Sequence, residues 1–316
     1  MDRRGAVEAL GRIVSNVEGV IRGKRSVVEA AVLALAADGH LLLEDAPGVG
    51  KTMLAKAIAR SIDASFKRIQ ATPDLLPSDI TGVAIWNQGA GEFEFIPGPI
   101  FANVVLVDEI NRTTPRTQSA LLEAMEERQV TAEGDSRRVP QPFFVIATQN
   151  PMEYHGTYPL PEGQLDRFLV ALSLGYLEPV EEGRVVQDQL IEHPIERINP
   201  VISLSEVEEI QERVRETRVE QPVVDYAVEV VVATRSHPDL VLGVGPRGTI
   251  GLTRAAQARA LLLGREYVLP DDVKAVAPSV LSHRMALKSQ LRRGPGGGRT
   301  VIAEVLKQVP VPVGTN

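Results

Sequence analysis

Cysteine is absent from this 316-residue chain, which excludes disulfides, thiolate catalysis and cysteine-based metal sites. Aromatic residues make up only 4%, too few to suggest a platform for stacking single-stranded nucleic acid. The five histidines (His40, His155, His193, His237 and His283) show no ligand spacing, so a zinc site is not expected. Apolar runs never reach the roughly 18 residues that a membrane-spanning helix needs, and the opening MDRRGAVEAL has no apolar core. Membrane insertion is therefore not expected, and the expected location is cytoplasmic. Positive charge is in deficit: the net charge is −7 and the pI about 5.4, which argues against a general nucleic-acid-binding surface.

What is present is ordinary globular composition, 44% hydrophobic and 24% charged, on a length that suggests about two domains. The chain is organised around Leu41–Ser61, LLLEDAPGVGKTMLAKAIARS. Leu41-Leu42-Leu43 reads as a buried strand, Pro47, Gly48 and Gly50 as a turn, and the segment after Lys51-Thr52 as a helix. Strand, glycine-rich loop, Lys-Thr and helix together form the layout of a phosphate-binding P-loop. The nucleotide would be held by Asp45, Ala46, Pro47, Gly48, Val49, Gly50, Lys51, Thr52 and Met53. Backbone N–H groups and the helix N-terminus supply positive potential. Lys51 would reach the β and γ phosphates of ATP or ADP, and the Thr52 hydroxyl would ligate Mg²⁺. Asp45 stands where the general pattern has its first glycine, and the turn there would rely on aspartate's tolerance of left-handed backbone.

On the N-terminal side, Val7, Leu10, Val14, Val17 and Ile21 mark an amphipathic helix over 2–21. Ser26 with Glu29 reads as the capping box of a second helix that runs to about Ala37. Downstream, Phe66–Gln70 is a strand. The segment from Val83 to Phe101 reads as a β-hairpin: Ala84–Trp86, a turn at Gly89–Gly91, then Phe93–Phe95. This hairpin interrupts an α/β pattern. Two readings stand, a surface decoration or a loop that touches a substrate or a neighbouring subunit.

Val104–Val107 is a buried strand ending in Asp108-Glu109, the Walker B arrangement. Asp108 would hold Mg²⁺, and Glu109 would orient and activate the attacking water. A helix from Thr117 to Arg128 and a second hairpin over Gln129–Val139 follow. The strand Phe143–Ala147 ends in Thr148-Gln149-Asn150-Pro151. Asn150 is either part of a simple turn or a group that reaches the γ-phosphate or its water. Pro161 and Glu162 begin a short helix carrying Asp166-Arg167-Phe168, before a strand at Val170–Leu174. Arg167 is either a solvated charge or an arginine finger.

The segment from Glu178 to Pro200 is charged and proline-punctuated, a linker with one helix near Glu182–Ile191. Ser205 and Glu208 read as another capping box. Helices are expected over 206–217, 224–236, 249–264 and 271–282, with Arg247 just before one helix start. The resulting division is an α/β domain over 1–177, a linker over 178–202, a helical domain over 203–290 and a flexible tail over 291–316, within which Val301–Leu306 reads as a short helix that docks on something.

These motifs, in this order, resemble the MoxR family of AAA+ ATPases over roughly residues 5–288. LLLEDAPGVGKT looks like the family's Walker A, in which Asp or Gly is familiar at position 45. RIQATPDLLPSDITG resembles its most distinctive segment, and the hairpin after it matches the helix-2 insert. VLVDEINRTTPRTQSALLEAMEERQVT looks like the Walker B region. IATQNP resembles sensor 1, which implies that Asn150 positions water. LPEGQLDRF is similar to the arginine-finger segment and implicates Arg167; Arg247 in GPR falls at the sensor 2 position. The resemblance implies a parallel-sheet AAA+ core with hairpin insertions and a small all-α lid. It also implies a ring homo-oligomer, a hexamer, in which Arg167 serves the neighbour's nucleotide.

Arg112 is read either as an interface residue or as a structural salt bridge. The implied activity is Mg-dependent ATP hydrolysis by a chaperone-like remodeller that activates a partner or inserts a metal or cofactor into it. The partner implied is a protein with a von Willebrand factor A domain. Two other readings compete: a nucleic-acid motor of the helix-2-insert type, and a scaffold that binds ATP without turnover. The hairpin at Val83–Phe101 carries Glu92 and Glu94 and no Lys or Arg, which suits a phosphate backbone badly. No nucleic-acid partner is expected.

Overall fold

The computed structural model of the chain describes residues 1–132, 134–150, 156–288 and 296–312. Two helices come first, α1 (Arg3–Glu18) and α2 (Arg25–Ala36). Asp2 caps α1 by accepting the Gly5 N–H at 2.8 Å, and Ala6, Ala9, Leu10, Ile13, Val14 and Val17 form its buried stripe. The helix stops at Glu18, so Ile21 lies beyond it, in the loop. At α2 the expected Ser26–Glu29 capping box does not form. The helix starts two residues earlier, with Lys24 at the N-cap and no side-chain cap, and Glu29 accepts from Arg25 Nε at 2.8 Å instead.

The chain then alternates between strand and helix: β1 (Leu41–Glu44), α3 (Lys51–Ser61) and β2 (Phe66–Gln70). A short helix α4 (Pro77–Thr81) leads into the first hairpin, β3 (Gly82–Asn87) and β4 (Glu92–Pro97). Next come β5 (Val104–Asp108), α5 (Pro115–Glu127), the second hairpin β6 (Gln129–Ala132) and β7 (Asp135–Arg138), and β8 (Phe144–Gln149). A one-turn helix α6 (Glu162–Leu165) precedes β9 (Val170–Leu172). Of the second hairpin's expected turn, Glu133 lies outside the described residues.

Five strands pair in the order β2-β5-β8-β1-β9, all parallel. Both faces are covered, and side chains alternate between two cores, as period-2 geometry dictates. Leu41, Leu43, Val104, Leu106, Phe144 and Ile146 point to the face carrying α1, α2 and α3. Leu42, Val105, Val107, Val145 and Ala147 point to the face carrying α5. Because the strands run parallel, all their C-terminal ends lie on one edge, where ligands of such sheets bind.

The two hairpins stand off this sheet. Trp86 and Phe93 on the first are 54% and 69% exposed, stacked edge-on with ring centroids 5.2 Å apart. The hairpins meet where the Arg137 guanidinium of β7 lies 4.0 Å from the Phe95 ring centroid of β4. Gly82 and Gly98 pinch the base of the first hairpin: a Cβ on Gly98 would fall 2.2 Å from the Ile80 carbonyl oxygen.

Helices dominate the rest. The expected linker is itself helical, with α7 (Pro179–Ile191) and α8 (Pro194–Arg197). Then follow α9 (Leu204–Glu216), α10 (Gln221–Arg235), β10 (Leu240–Leu242), α11 (Pro246–Leu262), α12 (Pro270–Leu281) and β11 (Ala286–Leu287). The α9 capping box is formed by Ser203 and Glu206, not Ser205 and Glu208; Glu206 accepts the Ser203 N–H at 2.7 Å. The same Ser-x-x-Glu spacing occurs twice in register, and the chain uses the earlier pair. Asp272 is fully buried at the start of α12, accepting from Arg259 and Arg265 at 2.6 Å and from the Leu269 N–H at 2.8 Å.

The short docking helix expected at Val301–Leu306 forms and is longer than expected. Residues Gly297–Gln308 form a helix, α13, that buries Val301, Ile302 and Val305 against α10 and α12. Gly298 permits this approach, since a Cβ there would meet the Ser282 carbonyl oxygen at 2.4 Å. Residues 289–295 lie outside the described residues.

Candidate functional site

The loop between β1 and α3 turns left-handed at two glycines, Gly48 (φ +84°) and Gly50 (φ +99°). Both are conformations that a side chain would strain. Gly50 is the N-cap of α3 and offers no side-chain cap, so the first-turn amides and the positive end of an 11-residue helix face the loop. Lys51 folds back over the loop, donating from Nζ to the carbonyl oxygens of Asp45 at 2.6 Å and Ala46 at 3.2 Å. Pro47 and Gly48 are exposed, while Val49 and Met53 are partly buried and pack against the core.

Asp45 behaves differently from the expected loop glycine. Its backbone is not left-handed, and its N–H donates to the Gln149 carbonyl at 3.2 Å. Its carboxylate accepts from Ser173 Oγ at 3.0 Å and from the Leu174 and Gly175 amides. It ties the start of the loop to the end of β9 rather than pointing at a phosphate.

Beside the loop, β5 ends in the acidic pair. Asp108 is buried; Oδ1 accepts from Thr148 Oγ1 at 3.3 Å and Oδ2 from Arg68 Nε at 2.6 Å. Glu109 adopts φ +57°, ψ +51°, a left-handed conformation that costs a non-glycine residue about 1 kcal/mol or more. That turn swings its carboxylate out of the strand, where it accepts from Arg112 Nη1 at 2.8 Å and Gln70 Nε2 at 3.4 Å. Thr148 Oγ1 accepts the Glu109 N–H at 2.9 Å. Of the two readings of Arg112, the structure gives a salt bridge. Asn150 is buried directly after β8, on the same edge; Pro151 lies outside the described residues.

Sequence reasoning missed Arg68, Gln70 and Thr148. Their place follows from the fold: β2 pairs with β5 so that Gln70 lies beside Asp108 across parallel strands, with Arg68 two residues back on the same face.

Arg167 and Arg247 lie elsewhere. Arg167 precedes β9 and Arg247 opens α11, and both converge on Glu126 at the end of α5, at 3.2 and 2.9 Å. That is the N-terminal edge of the sheet. The four-residue β1 alone separates it from the phosphate loop by roughly 13 Å at about 3.3 Å per residue. The structure thus gathers the loop, the acidic pair and Asn150 on one edge, and the two arginines on the other.

Residues 40–170 match the AAA_3 family, ATPases associated with various cellular activities, and residues 232–305 match an AAA lid domain. The chain is 41% identical to Chaperone MoxR1 of Mycobacterium tuberculosis over 97% of its own length and 83% of that protein's. The chain belongs to the MoxR family of AAA+ ATPases. Another relative is the uncharacterized protein YeaC of Bacillus subtilis, 52% identical over 96% of this chain and 95% of that one. A crystal structure from Cytophaga hutchinsonii, described as that of an ATPase, superposes with a TM-score of 0.90 at 35% identity, covering 98% and 97% of the two chains. Membership in the MoxR family makes ATP hydrolysis the activity. No helix among the described residues is long and apolar enough to cross a membrane.

Proposed function

We propose that this MoxR-family ATPase hydrolyses ATP at a site shared between two copies of itself, and that the cycle drives chaperone-type remodelling of a partner protein. The observation that carries the reading is the separation of Arg167 and Arg247 from the chain's own phosphate loop. Their pairing on Glu126 at the opposite edge of the sheet supports service to a neighbour's nucleotide rather than to their own, and a closed ring would supply every subunit with a neighbour. This favours action in trans for Arg247 as well as for Arg167, and a homo-oligomeric ring, a hexamer, as the working assembly.

Within one subunit, the α3 amides and Lys51 bind the phosphates, Lys51 exchanging two loop carbonyls for phosphate oxygens. Glu109 takes a proton from the attacking water once its carboxylate leaves Arg112 and Gln70. Asn150, on the same edge, orients that water. Arg167 and Arg247 of the adjacent copy then leave Glu126 to stabilise charge on the transferring phosphoryl group. Magnesium fits the residues present: Asp108 and Thr52 are hard oxygen donors beside the loop. No cluster of three or more His, Cys, Asp or Glu among the described residues would hold a metal alone. That suits an ion that takes most of its ligands from phosphate and water. Bound there, it would screen phosphate charge.

The partner class that the family resemblance suggests, a protein with a von Willebrand factor A domain, is part of this proposal. So are activation or cofactor insertion as its outcome and the cytoplasm as its place. Exposed Trp86 and Phe93 on a hairpin bearing Glu92 and Glu94 support a protein partner over a nucleic-acid one.

The test is ATPase rate per subunit against protein concentration, with Glu109→Gln as the blank. A rate per subunit that climbs with assembly supports the shared site. A constant rate at every concentration, with assembly verified by light scattering, overturns it.

A further inference from the structure

A cavity of about 280 Å³ opens between α11, α9 and the N-terminal ends of β1 and β9. Its charge does not balance. Five arginines and two aspartates line it, an excess of three positive charges. Arg167 and Arg247 share the single carboxylate of Glu126, which lies outside the lining. Arg215 shares Asp38 with Arg128, at 2.9 and 3.0 Å. Arg284 is 5% exposed and rests on Asp166 and the Phe168 carbonyl, but its Nη1 is buried without a hydrogen-bond partner. Arg254, two helical turns beyond Arg247 on α11, has no hydrogen-bond or ion-pair partner among the described residues.

Burial together with neighbouring positive charge pushes the Arg254 guanidinium below its usual range, through Arg215, and Arg284 to about 10, through Arg247. The cluster is therefore under electrostatic strain that an anion would relieve. The wall behind it is also kept open: a Cβ on Gly251 would fall 2.9 Å from Arg284 Nη1 and 3.1 Å from Leu169 Cδ1.

We propose that this cavity binds a phosphate group, with Arg254 and the free Nη1 of Arg284 as its principal donors. Guanidinium forks match phosphate oxygens in pairs, and a phosphate brings about two negative charges and three acceptors to a site short of three. The cavity has room for phosphate or pyrophosphate. Two sources share that chemistry: a free phosphate anion, or the terminal phosphate of a nucleotide held by a neighbouring copy. The second source rests on the shared-site reading above; the first does not.

The test starts with Lys51→Ala protein, which disables the phosphate loop. Pyrophosphate is titrated by calorimetry at low salt into this protein and into Lys51→Ala/Arg254→Gln. Saturable binding that weakens by about tenfold or more in the double variant supports the free-anion source. Arg254→Gln should also melt no lower than its parent without ligand, because it removes an unbalanced charge; a purely structural arginine would lower the melting temperature. Where pyrophosphate does not bind, Arg254→Gln is assayed in the otherwise intact, assembled chain. A drop in kcat with unchanged nucleotide affinity, partly restored in Arg254→Lys, supports the neighbour's phosphate as the source. Pyrophosphate binding that survives Arg254→Gln, or no binding together with unchanged kcat, overturns the proposal. The pyrophosphate arm reads the cavity without assembly, so failure of the shared site alone leaves it standing.

Discussion

Arg68 donates from Nε to Asp108 Oδ2 at 2.6 Å, so the carboxylate proposed above as a magnesium ligand carries a guanidinium. On that proposal, cation and arginine compete for one oxygen. Arg68 is half exposed, which limits the pair to about 1 kcal/mol, roughly a fivefold effect. Arg68→Gln should therefore lower by up to about fivefold the magnesium concentration that half-saturates binding of a fluorescent ATP analogue. An unchanged or raised requirement would show that Asp108 does not meet the ion.

Arg167→Ala should bind nucleotide normally and hydrolyse it about a thousandfold more slowly, the scale of a lost arginine finger. Lys51→Ala should lose binding. Mixed rings of the two contain interfaces that join an intact loop to an intact finger, so activity should return on mixing. Arg247→Ala mixed with Lys51→Ala should behave the same way. Two dead variants that stay dead together would mean that loop and arginines act within one subunit.

Acid should destabilise the fold before its carboxylates protonate. His40 and His283 are fully buried, and burial pushes both down to about 3, with Arg128 beside one and Arg284 beside the other adding to the shift. His40 is held neutral by accepting the Val145 N–H on Nδ1 at 3.1 Å, with Nε2 on the Met125 carbonyl. The unfolded chain takes up these protons below the ordinary value of 6.5 and the folded chain does not. Stability is therefore full above that value and lost as pH falls from it towards about 3. The slope is about 1.4 kcal/mol per pH unit for each histidine. Urea midpoints between pH 7 and 5 should fall accordingly, and His283→Gln should show a shallower slope than the parent.

Asp272→Ala should destabilise the helical region by about 2–4 kcal/mol, because two partly buried guanidinium groups and the N-cap amide of Leu269 lose one shared acceptor. Denaturation midpoints measured by circular dichroism would register this. Asp272→Asn, which keeps an acceptor oxygen without the charge, should fall between.

The parts of the site that could be read from the chain are those written in consecutive residues. Gly48, Gly50, Lys51 and Thr52 form a loop whose geometry follows from backbone freedom and a helix start. Asp108 and Glu109 end an unmistakable apolar run. Arg68 could not be read the same way, because its contact with Asp108 spans 40 residues and depends on which strands become neighbours. Glu126 was equally hidden: an acid on a helix looks like a solvated face until two distant arginines converge on it. The α9 cap shows a different limit. Ser203 and Ser205 each have a glutamate three residues on, and local pattern does not choose between two identical spacings. At α13, the glycines before Val301 suggested looseness, whereas Gly298 serves close packing against Ser282.

The contact of Arg137 with Phe95 has a mechanical corollary. Each hairpin is attached to the core at its own base, the first just after α4 and the second between α5 and β8, and cross-linking them turns two levers into a truss. A push at the exposed tip around Trp86 and Phe93 is then shared with the stem of the second hairpin, whose first strand begins where α5 ends. Glu126 sits at that joint, so a load taken at the hairpin tip arrives at the carboxylate that holds both arginines.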